Sequence, residues 1–347
     1  MANIQRSSNI ELLRIVSMLL IVLHHYCVNS GFTEVIDMKN ITGNTLLIQF
    51  MAFGGKVGVN VFLLISGYFM IEGERKYEKI YKLIFQVLFY SLIISFLLYY
   101  WGGYYFSLKQ ILQIIPFVFT LPVDFIASYL LVYLLSPIIN KCLKSLSRTE
   151  FTFLLLILLL YFVIADTFFL QHTWNYFGWA FTCYCVGAYI RMYNIDKIKL
   201  PWSLFALISL LTIWLSILVV DYVGVKYHFE GWTYMLSDAN KLPVFAMAVF
   251  LFLYFKNMHI GYNRLINIVA ASSLGVLIIH ANSDVMRQWL WKDFLRNTDY
   301  FTSSYLWLHM CLSVVAIYSI CTFIDVLRIK YLEKPLFKRL FKKKCDI

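Results

Sequence analysis

The stretch "LRIVSMLLIVLHH" and the histidine that follows it set a cation and two imidazoles in an otherwise apolar run. Arg14 and His25 are eleven residues apart, which on a helix is about 20° beyond three full turns and a rise of about 16 Å, so both side chains share one face. A guanidinium stays charged and grips oxyanions in a fork, which suits phosphate. An imidazole titrates near neutrality and suits proton transfer. The separation resembles the reach of an extended pantetheine arm: nucleotide phosphates at Arg14 would leave a thioester beside His25, a geometry for acyl transfer from coenzyme A. Glu11, three residues before Arg14, is placed to hold the guanidinium. His24 points about 80° away from the Arg14 direction and is secondary.

Other polar residues reach the same depth. "GGKVGVNVFLLISGYFM" carries Lys56 about 21 Å from its inner end, close to the depth expected for His25, where it would orient a substrate or stabilise a developing oxyanion. Asn60 is a buried amide expected to hold His25 in one tautomer, and Ser66 with Gly67 marks the inner end. Just beyond, Arg75 and Lys76 belong to a basic cluster suited to a polyphosphate donor. In "ASSLGVLIIHANSD", His280 is expected at the level of His25. The segment 221–240, with Asp221, Glu230, Trp232, Tyr234 and Asp238, has the aromatic and acidic mixture of a carbohydrate-facing surface.

The elements that position these groups are membrane spans. Of 347 residues, 61% are hydrophobic and only 14% charged, more apolar surface than a soluble core requires. Apolar runs long enough to cross a bilayer recur at 9–29, 46–70, 79–101, 124–141, 150–170, 174–193, 201–220, 239–255, 267–287 and 304–329. This predicts an all-α polytopic protein of ten spans. Runs such as "FLLLILLLYFVIA" are apolar on every side and exclude the alternation of a β-barrel. With no fixed-length repeat or linker, one domain over 1–347 is expected, with a basic tail from about 330. Most of the thirty lysines and arginines fall on one side when the N-terminus is placed in the cytoplasm, so both ends are predicted there. The net charge of +11 is then topology and headgroup contact, not a nucleic-acid surface. The first span carries Arg14, lacks a cleavage pattern and is expected to be retained. The seven cysteines suggest neither a disulfide framework nor a metal site.

"NIELLRIVSMLLIVLHH" with "GVNVFLLISGYFM" resembles the acyltransferase 3 family of bacterial membrane acyltransferases, whose first span carries an Arg, ten residues, then a His. "YLLVYLLSPIIN", "GWAFTCYCVGAYIRMY" and "SLGVLIIH" are similar to later blocks of that family, so the resemblance covers nearly the whole chain. It implies about ten spans in the bacterial plasma membrane, acetyl-coenzyme A as donor, and as acceptor a hydroxyl of a surface polysaccharide or its lipid-linked precursor. By the same resemblance Arg14 contacts the donor and His25 is the catalytic base. Relatives often show an aromatic pair headed by Trp at the start of span 4, where this chain has "VDFIASY"; the resemblance therefore leaves acceptor specificity open. No hydrolase-like domain of the kind fused to some relatives is expected, and the chain is expected to act as the bare membrane module or with separate partners. Direct transfer and an acyl-enzyme both stay open. The rival is a transporter or flippase of a lipid-linked sugar, with Arg14, His25, Lys56 and His280 lining a path; the sequence shows a glycine break near Gly54 but no counterpart in the second half.

Overall fold

The structure, a computed structural model, describes residues 7–73, 77–105, 125–169, 173–227 and 238–342. Helices dominate, and no strand occurs among the described residues. The helices are α1 Ser8–Asn29, α2 Gly43–Ala52, α3 Gly54–Met70, α4 Tyr77–Tyr100 and α5 Phe125–Ser145. Then come α6 Arg148–Leu159, α7 Tyr176–Met192, α8 Trp202–Tyr227 and α9 Leu242–Asn257. The series closes with α10 Arg264–Ala271, α11 Ser273–Ala281, α12 Asp284–Gln288, α13 Leu306–Arg328 and the basic α14 Lys334–Lys342. Among the described residues, eight helical stretches are long and apolar enough to cross a membrane. The other two expected spans are the helices α7 and α9, of 17 and 16 residues. The chain is an all-α polytopic membrane protein.

Several boundaries follow from local chemistry. Ser147 and Glu150 form a capping box before α6, each side chain bonding the other's backbone N–H. Thr42 and Thr45 do the same for α2. The Asn263 side chain accepts from the N–H groups of Leu265 and Ile266 at the start of α10. Two expected spans are broken. The stretch 46–70 bends at Phe53 into α2 and α3, and the stretch 267–287 is interrupted at Ser272 and ends α11 at Ala281.

The first core cluster forms around α3, where α7 crosses it at backbone distance. A Cβ on Gly67 would lie 2.1 Å from the Tyr184 carbonyl oxygen, and one on Gly187 would lie 2.3 Å from that of Leu64. Only glycine allows two membrane helices to approach so closely. Asn60 locks the same region: its amide donates to the Ala239 carbonyl at 2.6 Å and accepts from the Trp179 indole at 2.8 Å. This corrects the expectation that Asn60 orients His25. Both its hydrogen-bonding ends are used in holding α3 to α7 and to the chain before α9. Below it, Asn9 of α1 donates to the carbonyls of Phe255, Lys256 and Met258, capping the end of α9.

The chain before α9 is anchored on its other side by a buried ion pair. After α6 the helix widens into a π segment, Leu160–Ala165, and the Phe162 carbonyl accepts from Asn240 at 2.9 Å. Asp166 follows, buried, accepting from Asn240 at 2.8 Å and from the Lys241 ammonium. Three consecutive residues, Ala239 to Lys241, are thus fixed from two directions.

Candidate active site

Helix α1 supplies most of the site. Glu11 is buried and accepts from the Arg14 guanidinium at 3.1 Å and 3.4 Å, fixing a cation whose side chain is 32% exposed. The pairing is a local i, i+3 contact, and Arg14 keeps open surface for an anion.

Three turns further on, His25 meets a partner from the far end of the chain. Its Nδ1 lies 2.9 Å from Nε2 of His280 on α11, with ring centroids 5.0 Å apart. Nδ1 of His280 in turn lies 2.5 Å from the Val276 carbonyl. A carbonyl only accepts, so the proton of a neutral His280 sits on Nδ1 and its Nε2 accepts. His25 therefore donates from Nδ1, and its proton-free nitrogen is Nε2. That nitrogen makes no hydrogen bond among the described residues. His280 is completely buried and held edge-on by the fully buried Trp291, 6.3 Å away, so the dyad cannot rotate freely. The arrangement follows the nucleophile–base–orienter logic of hydrolytic triads, with a neutral imidazole where a carboxylate commonly stands.

His24 is more deeply built in than its sequence position suggested. Its Nδ1 donates to the Ala52 carbonyl, which the break between α2 and α3 leaves without a helical partner. The ring rests on Gly55, where a Cβ would lie 2.5 Å from the His24 Cβ, so any larger residue there would push α3 off α1. The His24 and His25 rings are 5.5 Å apart. With Nδ1 committed, His24 too is left with a proton-free Nε2.

Lys56, one residue beyond Gly55, pairs with Asp238 at 3.2 Å instead of contacting the His25–His280 dyad. Ser66 lies near the C-terminal end of α3, donating to the Phe62 carbonyl at 2.9 Å, 3.4 Å from the Tyr129 hydroxyl of α5. Arg75 and Lys76 lie outside the described residues, as do Glu230, Trp232 and Tyr234. Asp221 does not face a carbohydrate surface: it is buried and accepts from Gln49 at 3.0 Å.

The structure thus brings His25 together with His280, and Arg14 with Glu11, while Lys56 stands to one side. Two contributors, Tyr129 and Trp291, lie outside the candidates that the sequence offers. Tyr129 lies in the quoted block "YLLVYLLSPIIN", where a hydroxyl among aliphatic residues was the available signal. Asp238, expected on a carbohydrate-facing surface, is half exposed and is in addition the counter-ion of Lys56. Trp291 carried no signal, because nothing local to "WLWKDF" says it supports a histidine eleven residues earlier.

A family model described as an acyltransferase domain matches residues 7–326. No curated protein and no solved structure matches the chain.

Proposed function

Since the chain belongs to the acyltransferase 3 family and is therefore a membrane acyltransferase, we propose that it moves an acetyl group from acetyl-coenzyme A to a hydroxyl of a surface polysaccharide or of its lipid-linked precursor. The observation that carries this reading is the His25–His280 dyad, which leaves His25 Nε2 free for an incoming hydroxyl on the same α1 face as Arg14. In the proposed arrangement ten crossings of one domain lie in a bacterial plasma membrane, with both ends in the cytoplasm. The donor comes from that side, its phosphates meeting Arg14 with help from Arg75 and Lys76 and its inner passage bordered by Ser66. The basic tail lies against lipid headgroups.

The reaction then proceeds by direct transfer. His25 Nε2 takes the acceptor hydroxyl's proton as the oxygen attacks the thioester carbonyl, so the C–O bond forms as the proton leaves. The imidazolium is held by His280, and the Lys56 ammonium provides a favourable field for the tetrahedral oxyanion. Collapse breaks the C–S bond, and the proton on Nε2 passes to the departing thiolate, giving the ester and free coenzyme A. Direct transfer is favoured because, among the described residues, no Ser, Thr or Cys side chain hydrogen bonds to His24 or His25.

The test is purified protein in lipid nanodiscs with labelled acetyl-coenzyme A and a surface-glycan extract. Label on glycan with wild type, none with His25→Ala, and a raised donor KM with Arg14→Ala is the expected result. Wild type that never consumes the donor, yet binds or moves a lipid-linked sugar, would replace this reading with the transport one.

A further inference from the structure

The dyad accounts for one bare imidazole nitrogen, but a second stands next to it. His24 Nδ1 is tied to the Ala52 carbonyl, so a neutral His24 offers only an acceptor, Nε2, which takes no hydrogen bond among the described residues. Gly55 is the device that lets α3 lie against this ring. The next residue, Lys56, is joined to Asp238 at 3.2 Å. Asp238 is half exposed, yet unlike an ordinary surface carboxylate it precedes three anchored residues: the Ala239 carbonyl accepts from Asn60, and Asn240 and Lys241 both bind the buried Asp166. One Asp238 oxygen faces Lys56, and the other makes no hydrogen bond among the described residues.

We propose that His24, Lys56 and Asp238 form a second hydroxyl subsite beside His25, so that the acceptor is a polyol carrying a free hydroxyl on a carbon next to the one acylated. This rests on the acyltransferase reading and names the acceptor chemistry for the same site. A monohydric alcohol gives His24 nothing to accept. A sugar presents one hydroxyl to His25 Nε2 and its neighbour to His24 Nε2, a spacing that rings 5.5 Å apart accommodate. Asp238 accepts from a further hydroxyl, and Lys56 donates to hydroxyl oxygens while it neutralises the carboxylate. Acceptors, donor and fixed geometry together select a neutral polyhydroxylated ligand over an anionic or apolar one.

The experiment uses the full chain in nanodiscs, labelled acetyl-coenzyme A at saturation and the glycan extract at varied concentration. His24→Leu is expected to raise the apparent KM for glycan about tenfold, the effect of one hydrogen bond, with a much smaller change in kcat. Asp238→Asn is expected to move KM in the same direction, and His24→Gln, which keeps an acceptor, is expected to recover most of the loss. A purely structural role for His24 would lower kcat and leave KM in place. NMR of the product is expected to show each acetyl on a carbon whose neighbour bears a free hydroxyl. Glycan labelled at positions without such a neighbour, or an unchanged KM in His24→Leu, overturns this inference alone. Wild type that consumes donor but labels no glycan overturns the carbohydrate acceptor itself, and the subsite with it.

Discussion

Replacing His280 tests the tautomer argument most directly. In His280→Ala, His25 Nδ1 loses its acceptor and the Val276 carbonyl loses its donor. Nothing then fixes the His25 proton on Nδ1, so Nε2 becomes protonated in part of the population and the base faces the substrate with the wrong nitrogen. The imidazolium formed during transfer also loses its hydrogen-bond acceptor, a charge-assisted contact of about 1.5–3 kcal/mol. That alone is about a 10- to 150-fold loss in rate. With the tautomer penalty the loss approaches the roughly 100- to 10,000-fold that positioned acid–base catalysis contributes. The expected outcome is a kcat reduced about 300-fold with donor KM nearly unchanged, because Arg14 is untouched. His280→Gln has a carbonyl to accept from His25 and an N–H₂ to donate to Val276, and is expected to return to within about tenfold of wild type. Truncating a completely buried ring also opens a cavity costing about 2–5 kcal/mol, so thermal unfolding in detergent must show that each variant is folded. The reasoning is refuted if folded His280→Ala keeps its kcat within about threefold, or if His280→Gln is no better than His280→Ala.

Arg14→Gln is expected to raise the KM for acetyl-coenzyme A by about 10- to 100-fold through loss of a charged phosphate contact, read from initial rates at varied donor. Asn60→Leu leaves the Ala239 carbonyl and the Trp179 indole N–H buried without partners, about 1–3 kcal/mol each, and should lower the unfolding temperature in detergent well below that of wild type. Lys241→Met strands the buried Asp166 carboxylate and is expected to destabilise by about 3–5 kcal/mol, whereas the double variant with Asp166→Leu should recover much of that loss in the same melt. Gly67→Ala must drive α3 from the Tyr184 carbonyl and is expected to reduce the yield of folded protein in size-exclusion chromatography, while Gly43→Ala, with nothing within 4 Å, leaves it unchanged.

How much of this was legible from the residues alone depends on how far each partner lies along the chain. The helices follow from apolar runs and cap residues, since the bilayer demands satisfied backbone groups and local hydrogen bonding supplies them. The shared face of Arg14 and His25, and the pairing of Arg14 with Glu11, are properties of a single helix, whose 3.6-residue turn sets both angle and height. Counting along its own helix puts His280 at the level of His25, where the structure has it. Its contact with His25, 255 residues away, depends on the rotation of α11 about its axis, which the packing of α13 and Trp291 around it decides. The error over Asn60 has the same origin: depth put it near His25, but α3 turns that face toward Trp179 and Ala239. The role of His24 depended on a carbonyl exposed by the bend at Phe53, and that of Asp238 on an anchor at Asp166. By itself the sequence determined which residues share a helix face and how deep each one lies. Only the tertiary structure decided which faces meet, because helix rotation and register are set by contacts summed over every neighbour.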